Sequence, residues 1–404
     1  MGAGLAATGG LTTTNMAEEM PVHDLDGSVG IVERRYHTFA TPDAPFQLEG
    51  GSVLPEVTTC YEMYGQLNDA GDNVILIEHG ITGSSHAAGR FQPDSRYAGY
   101  WDALIGSGRA LDTDRYCVIA PNALGGCRGS TGPSSKDPRT GTPYGSRFPN
   151  ITIRDMVRAQ RPWLDAIGVR RIRMVIGASM GGMQAIEWAV TFPEMVDGLC
   201  LVGSNAKQTD QAVAFNHCMR RAIMTDPNWR GGDYYDGEQP AAGLAVARMI
   251  GHITYLSESR LARQFDMREL HPWPEPERDN YVRFEIEEYL DEEGRKLVHR
   301  FDANTYVCVS RAIDLHDISR GRGSMAEALA RIRARCLLIG ISSDFLFPPQ
   351  QVRDLADAMR SAGVDARYWE MDSGLGHDAF LEEQEKLAAP ISAFLDEIER
   401  ESGQ

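Results

Sequence analysis

Three residues of this chain have the types and order needed for nucleophilic chemistry: Ser179, Asp344 and His377. Ser179 lies in Gly177-Ala178-Ser179-Met180-Gly181, after the apolar run Met174-Val175-Ile176 and before a segment, 183–190, with helical spacing. A Gly-x-Ser-x-Gly turn between a strand and a helix is a nucleophile elbow. Its strained backbone lifts the serine oxygen above a sheet and points the next backbone N–H at the reacting carbonyl. Gly177 and Gly181 permit the close packing that such a turn requires. The plainer role for the same pattern is a structural strand-to-helix turn.

A serine hydroxyl is a weak nucleophile at neutral pH. It needs a histidine to take its proton and a carboxylate to fix that histidine's tautomer. The order serine, acid, histidine directs attention downstream. Asp344 follows the apolar run 336–341, where a strand would end; its competing role is to cap the helix that Pro348 and Pro349 announce. Of ten histidines, only His377 lies beyond Asp344, in the glycine loop Gly374-Leu375-Gly376-His377-Asp378. For the oxyanion, the backbone N–H of Met180 is one candidate donor. Ile81, in the loop His79-Gly80-Ile81-Thr82-Gly83 after an apolar strand, is the other. No histidine, cysteine or carboxylate group has metal-ligand spacing, so no metal is expected.

These residues need a scaffold. Strand-like runs at 57–64, 73–78, 116–120, 173–176, 198–204, 335–341 and 366–371 alternate with helix-like stretches at 152–164, 183–190, 350–362 and 379–399. That alternation predicts an α/β fold with a mostly parallel, doubly wound sheet. Between 207 and 307 the strand signal stops. Apolar-periodic stretches at 211–224, 243–256 and 280–290 predict an inserted helical lid, leaving 21–206 and 308–404 as the core. The charge-rich run 287–296 reads as a solvated helix face. The loop 122–133 is glycine-rich but lacks a Gly-Lys-Ser/Thr ending, so it is expected to wall the active site rather than cradle a phosphate.

With 404 residues, 42% of them hydrophobic, the chain can bury one large core and a subdomain. A net charge of −17 opposes binding to nucleic acid or to an anionic membrane surface. No stretch of about eighteen apolar residues could span a bilayer. Residues 1–20 lack a basic region and an apolar run, and are expected to form a disordered lead. Seven scattered cysteines without a Cys-x-x-Cys pair fit a reducing cytoplasm.

Beyond the elbow, several stretches together are distinctive. They are Gly125-Gly126-Cys127-Arg128-Gly129-Ser130-Thr131-Gly132-Pro133, Ala247-Arg248-Met249-Ile250-Gly251-His252-Ile253-Thr254-Tyr255, Arg300-Phe301-Asp302-Ala303-Asn304 and Gly376-His377-Asp378-Ala379-Phe380-Leu381. On these residues the chain resembles the homoserine O-acetyltransferases. The resemblance implies an α/β-hydrolase fold with a helical lid, and acetyl transfer from acetyl-CoA, a co-substrate, to the hydroxyl of L-homoserine in methionine synthesis. It implies no permanently bound cofactor, and a homodimer that contacts through the lids. Arg248, Tyr255 and Asp378 match the positions that hold the amino-acid substrate, although Arg248 could instead pair with a lid carboxylate. Leu346 stands where succinyl-using relatives carry arginine, so it implies an acetyl donor. Serine as acceptor, succinyl-CoA as donor, or an esterase on the same triad are the alternatives. Two departures from the family pattern are Ser84, at a usually acidic position, and Phe345, at a usual tryptophan. For the coenzyme phosphates, Arg90, Arg96, Arg128, Lys136, Arg139 and Arg147 are candidate partners.

Overall fold

The computed structural model describes residues 20–21, 27–95, 97–270 and 284–402. Eight strands form the main sheet: β1 (Arg35–Phe39), β2 (Val57–Tyr64), β3 (Val74–Glu78), β4 (Cys117–Pro121), β5 (Ile172–Ala178), β6 (Gly198–Val202), β7 (Arg335–Ile341) and β8 (Ala366–Met371). Their spatial order is β8-β7-β6-β5-β3-β4-β2-β1. The strands from β8 to β4 run parallel, and β2 pairs antiparallel with both β4 and β1. This is the α/β-hydrolase architecture.

The sheet is covered on both faces, which is why its parallel strands are almost wholly apolar. Successive side chains alternate between two cores. Leu76, Ile119, Val175, Leu201 and Leu338 pack towards helices α1 (Ile153–Ala166) and α2 (Met180–Thr191). Ile77, Val118, Ile176, Val202 and Ile339 pack on the opposite face, with Trp101, Leu387 and Ile391. Thr152 caps α1 by accepting from the Asp155 backbone N–H.

The lid comprises α3 (Asp210–Thr225), α4 (Ala241–Tyr255), α5 (Glu258–Phe265), α6 (Glu285–Arg300) and α7 (Ala303–Asp314). Short α8 (Met325–Leu329), then α9 (Pro349–Ser361), α10 (Ala379–Glu382) and α11 (Gln384–Ser402), complete the chain. The boundary expected at 307 falls inside α7, and one helix serves both bodies. Its Ala303, Tyr306 and Val307 join the lid cluster with Leu244 and Leu297. Its Val309, Ala312 and Ile313 pack with Leu124, Met156 and Met183 of the core.

Other expectations also need adjusting. The helix expected over 379–399 is interrupted at Glu383, where the backbone leaves helical geometry and the Gln384 side chain caps the Leu381 carbonyl at 2.9 Å. The run 287–296 is not wholly a solvated face. Glu293 is buried against α4, with its charge met by Lys296 at 2.7 Å and His252 Nε2 lying 3.3 Å away. Strand β1 escaped the sequence reading because its exposed edge, with Tyr36 58% accessible, has no apolar alternation. Of the lead over 1–20, only Met20 is described, paired with Ala98; the rest, like 280–283 of the third lid stretch, lies outside the described residues. Among the described residues, no helix is long and apolar enough to cross a membrane.

Candidate active site

The elbow turns where β5 ends and α2 begins. Ser179 holds φ 56° and ψ −125°, a region that costs a non-glycine residue about 1–3 kcal/mol. The surroundings enforce it: the Ser179 N–H donates to the Val202 carbonyl at 3.0 Å, and Ser204 Oγ donates to the Ser179 carbonyl at 2.7 Å. A Cβ at position 181 would stand 2.0 Å from the Glu78 carbonyl oxygen, so only glycine lets the elbow press onto β3. As the first helical residue, Met180 has an N–H without an i−4 acceptor. Ile81 lines the cavity on the other side of the serine, and its loop is pinned because the Ala123 N–H donates to His79 Nε2 at 2.9 Å.

His377 and Asp344 meet as the chain order predicts. His377 Nδ1 and Asp344 Oδ2 are 2.6 Å apart, while the Leu346 and Phe347 N–H groups each donate to Asp344 Oδ1 at 2.9 Å. Asp344 therefore also closes its own turn, but it does not cap the following helix, whose N-cap is Pro348 with no side-chain cap. The His377 ring stacks on Phe347 at 5.1 Å and meets Phe380 edge-on at 5.3 Å, which fixes its plane. Its Nε2 is buried with no hydrogen-bond partner, and the ring shares a cavity with Ser179. Burial pushes the imidazole pKa down, but the charge and hydrogen bond of Asp344, with Asp378 nearby, outweigh it and raise it above the ordinary value. A histidine of raised basicity beside a half-buried serine is suited to proton abstraction.

The same cavity contains Arg248, Tyr255 and Asp378. Arg248 and Tyr255 are two turns apart on α4 and so share a face. The guanidinium carbon of Arg248 lies 5.9 Å from the Tyr255 ring centre. Arg248 is 3% accessible and Asp378 5%. Arg248 Nε has no hydrogen-bond partner, and no lid carboxylate among the described residues pairs with that arginine, contrary to the structural alternative. Burial pushes the Asp378 carboxyl up to about 6, partly offset by His377, Arg248 and Arg260. Two buried, oppositely charged groups without partners face one cavity, an arrangement that is costly unless a ligand completes it.

Lid and core are sewn together beside these residues. Leu256 and Gly376 form an antiparallel bridge, the Asp378 N–H donates to the Tyr255 carbonyl at 3.2 Å, and Ser257 Oγ donates to the Gly374 carbonyl at 2.5 Å. Gly376 has φ +87°, and a Cβ there would come 2.5 Å from the Ser257 nitrogen.

Leu346 lines a second cavity, on the Met180 side of the serine. The loop 122–133 walls neither cavity. It is a buttress instead, bonded to β2 through Thr131 and Ser130 and to the Ile81 loop through Ala123. Of the expected cationic residues, none of those described lines either cavity. Arg139 pairs with Asp137 and Arg147 bonds to Pro143, while Arg128 lines a separate groove with Arg34 and His86. Arg96 lies outside the described residues. Nothing in the spacing marks Gly203, whose φ of +48° brings its backbone against Asp344 and His377, or Tyr100 and Trp101, which line the cavity from a stretch without clear periodicity. Glu78 was visible as a charge ending an apolar strand. It lines the cavity, and burial pushes its carboxyl up to about 8. Among the described residues, no group of three or more His, Cys, Asp or Glu side chains could hold a metal ion.

Comparison with known proteins agrees with this geometry. A family profile described as alpha/beta hydrolase fold matches residues 73–384. A homoserine O-acetyltransferase of Symbiobacterium thermophilum is 51% identical over 92% of this chain and 97% of its own length. The crystal structure of homoserine O-acetyltransferase from Bacillus anthracis superposes with a TM-score of 0.84 at 30% identity, covering 90% of this chain and 98% of that one. Esterase E22 superposes with a TM-score of 0.83 at 32% identity, covering 90% of this chain and all of that one. On the extent of these matches, the chain belongs to the homoserine O-acetyltransferase family of α/β-hydrolase-fold enzymes.

Proposed function

We propose that this enzyme transfers the acetyl group of acetyl-CoA to the hydroxyl of L-homoserine, the O-acylation that opens a route to methionine. One observation carries the reading: Arg248 and Asp378 stand buried, opposite in charge and unpaired in the cavity that holds Ser179 and His377. A free amino acid offers the matching carboxylate and ammonium. The guanidinium can grip the α-carboxylate bidentately and Asp378 can accept from the α-ammonium, which leaves the side-chain hydroxyl directed at the serine. Tyr255 walls the same space.

The reaction proceeds by a ping-pong route. His377 takes the Ser179 proton, Oγ attacks the thioester carbon, and the N–H groups of Met180 and Ile81 receive the oxyanion. The C–S bond breaks and coenzyme A leaves with the proton from His377. Homoserine then enters, His377 takes its hydroxyl proton, and the acetyl group moves to that oxygen. The lid limits water, so transfer outruns hydrolysis. Leu346 places an apolar side chain on the acyl side of Ser179, which favours acetyl over succinyl.

The similarity to an esterase supports a second reading, hydrolysis on the same triad. Incubation with acetyl-CoA, with and without L-homoserine, separates the two when free thiol and O-acetylhomoserine are followed together. Thiol release indifferent to homoserine, with only acetate formed, would establish the hydrolase. Succinyl-CoA and L-serine in the same assay test donor and acceptor. The enzyme works in the cytoplasm as a homodimer joined through the lids, a reading supported by the seven scattered cysteines without a Cys-x-x-Cys pair and by Val246 and Ile253, 43% and 48% accessible on α4. Sedimentation of wild type and Ile253→Glu tests the dimer, which the charge should dissociate.

A further inference from the structure

Ser179 stands on a partition. Only Ile81, Ser179 and Tyr255 are shared between the cavity of Arg248, Asp378 and His377 and the second cavity, whose volume is about 40 Å³. Met183, Ala212, Phe215, Met219, Ile313 and Leu346 form most of the second wall, and none of its described lining residues carries a charge. Its polar groups are largely occupied elsewhere: Thr254 Oγ1 donates to the Gly251 carbonyl at 2.7 Å and Asn216 Nδ2 to Asp314 at 2.7 Å.

The tetrahedral geometry of the reacting carbon gives this partition a meaning. Both candidate oxyanion donors line the second cavity, Met180 that one alone and Ile81 the first as well, whereas the proton carrier His377 lines only the first. The entering and leaving heteroatoms must exchange protons with His377, so they occupy the first cavity. With the oxyanion turned to Met180 and Ile81, the remaining substituent, the acyl chain, is directed into the second. At roughly 10–15 Å³ for one water-sized group, a cavity of about 40 Å³ has room for more than a single methyl. Three of its lining residues, Met180, Met183 and Met219, are methionines, which repack readily around an added chain.

We propose that the second cavity is an aliphatic acyl site, and that Ser179 accepts unbranched acyl groups longer than acetyl, propionyl and butyryl foremost. The proposal rests on the acyl-serine reading above. In the loading step the Ser179 Oγ–C bond forms and the bond from that carbon to the leaving sulfur or oxygen breaks. The serine proton passes through His377 to the leaving group, and no redox change occurs.

The test uses p-nitrophenyl esters from acetate to hexanoate, with p-nitrophenol release by the full chain as the readout, beside an acyl-CoA series with L-homoserine. Wild type should be acylated by the butyrate ester within roughly tenfold of the acetate ester. Met219→Trp and Ala212→Phe should each lower the butyrate-to-acetate ratio by at least roughly tenfold, and Met219→Ala should move the optimum to longer chains. A wild type acylated by acetate alone, or a ratio that neither filling nor enlarging the cavity changes, overturns the proposal. The ester arm needs neither coenzyme nor homoserine. If no acyl-homoserine forms while the ester ratios respond as expected, the transfer reading fails and the acyl site stands.

Discussion

The core and the lid meet at one cavity but hold their functional groups by different means. In the core, position comes from backbone: Ser179 is set by its strained φ, by Gly177 and Gly181, and by strands whose residues are buried on both faces. In the lid, position comes from a helix face supported by buried charge. Behind Arg248 on α4 lies His252, pushed down to about 4 by burial and by Arg248; beside it lies Glu293, which burial pushes up but which His252, Arg248 and Lys296 together hold at about 2. At neutral pH the imidazole is therefore neutral and Glu293 carries the charge. A rigid backbone suits a reaction common to many substrates, and an electrostatic helix face suits the choice among them.

Substitutions can break this division of labour, beginning with the most severe. Ser179→Ala should lower turnover by about 10⁶-fold for every acyl donor while leaving the folded state intact, measured as acyl transfer beside circular dichroism. Arg248→Met should cost roughly 10²-fold in kcat/KM for homoserine and spare p-nitrophenyl acetate hydrolysis. Equal losses in both assays would erase the distinction between the two bodies. Asp378 sharpens it through pH. Because its carboxyl titrates near 6 and is neutral below that, KM for homoserine should rise as the medium is acidified through this value, by up to about tenfold per pH unit, and Asp378→Asn should flatten the profile. The smallest effect belongs to the lid's interior. Glu293→Gln removes the charge facing Lys296 but keeps most of the shape, so it should lower stability by about 1–3 kcal/mol in urea unfolding and raise KM more than it lowers kcat.

The proposed catalytic set was legible because covalent chemistry needs fixed residue types at fixed chain positions. The elbow glycines, the strand-end Asp344 and the one histidine beyond it leave little choice. The fold was legible where strands are buried on both faces, as in 74–78 and 335–341, and illegible where they are not, as at the exposed edge Arg35–Phe39. Helix α7 crosses a boundary drawn from the loss of strand signal, because its two ends serve different cores. The partition at Ser179 had no sequence signature. Its walls, Met183, Ala212, Phe215 and Ile313, come from segments far apart in the chain and are ordinary apolar residues wherever they stand. Buried pairs such as His252 and Glu293 share the difficulty, since only their three-dimensional proximity separates them from a solvated helix face.

The short bridge between Leu256 and Gly376 has one further consequence. A hinged cover over an acyl-serine would be a liability, since each opening would admit water to a live ester. Here the segment leaving α4 is bonded to the very loop that carries His377, at Gly376 and at the Asp378 nitrogen. Lifting the lid at that edge means breaking those bonds or pulling the base away from Ser179. On the proposed acyl-serine route, the ester would then be most exposed to water when the group needed to activate that water is out of place, and closing the site and arming it would become a single movement.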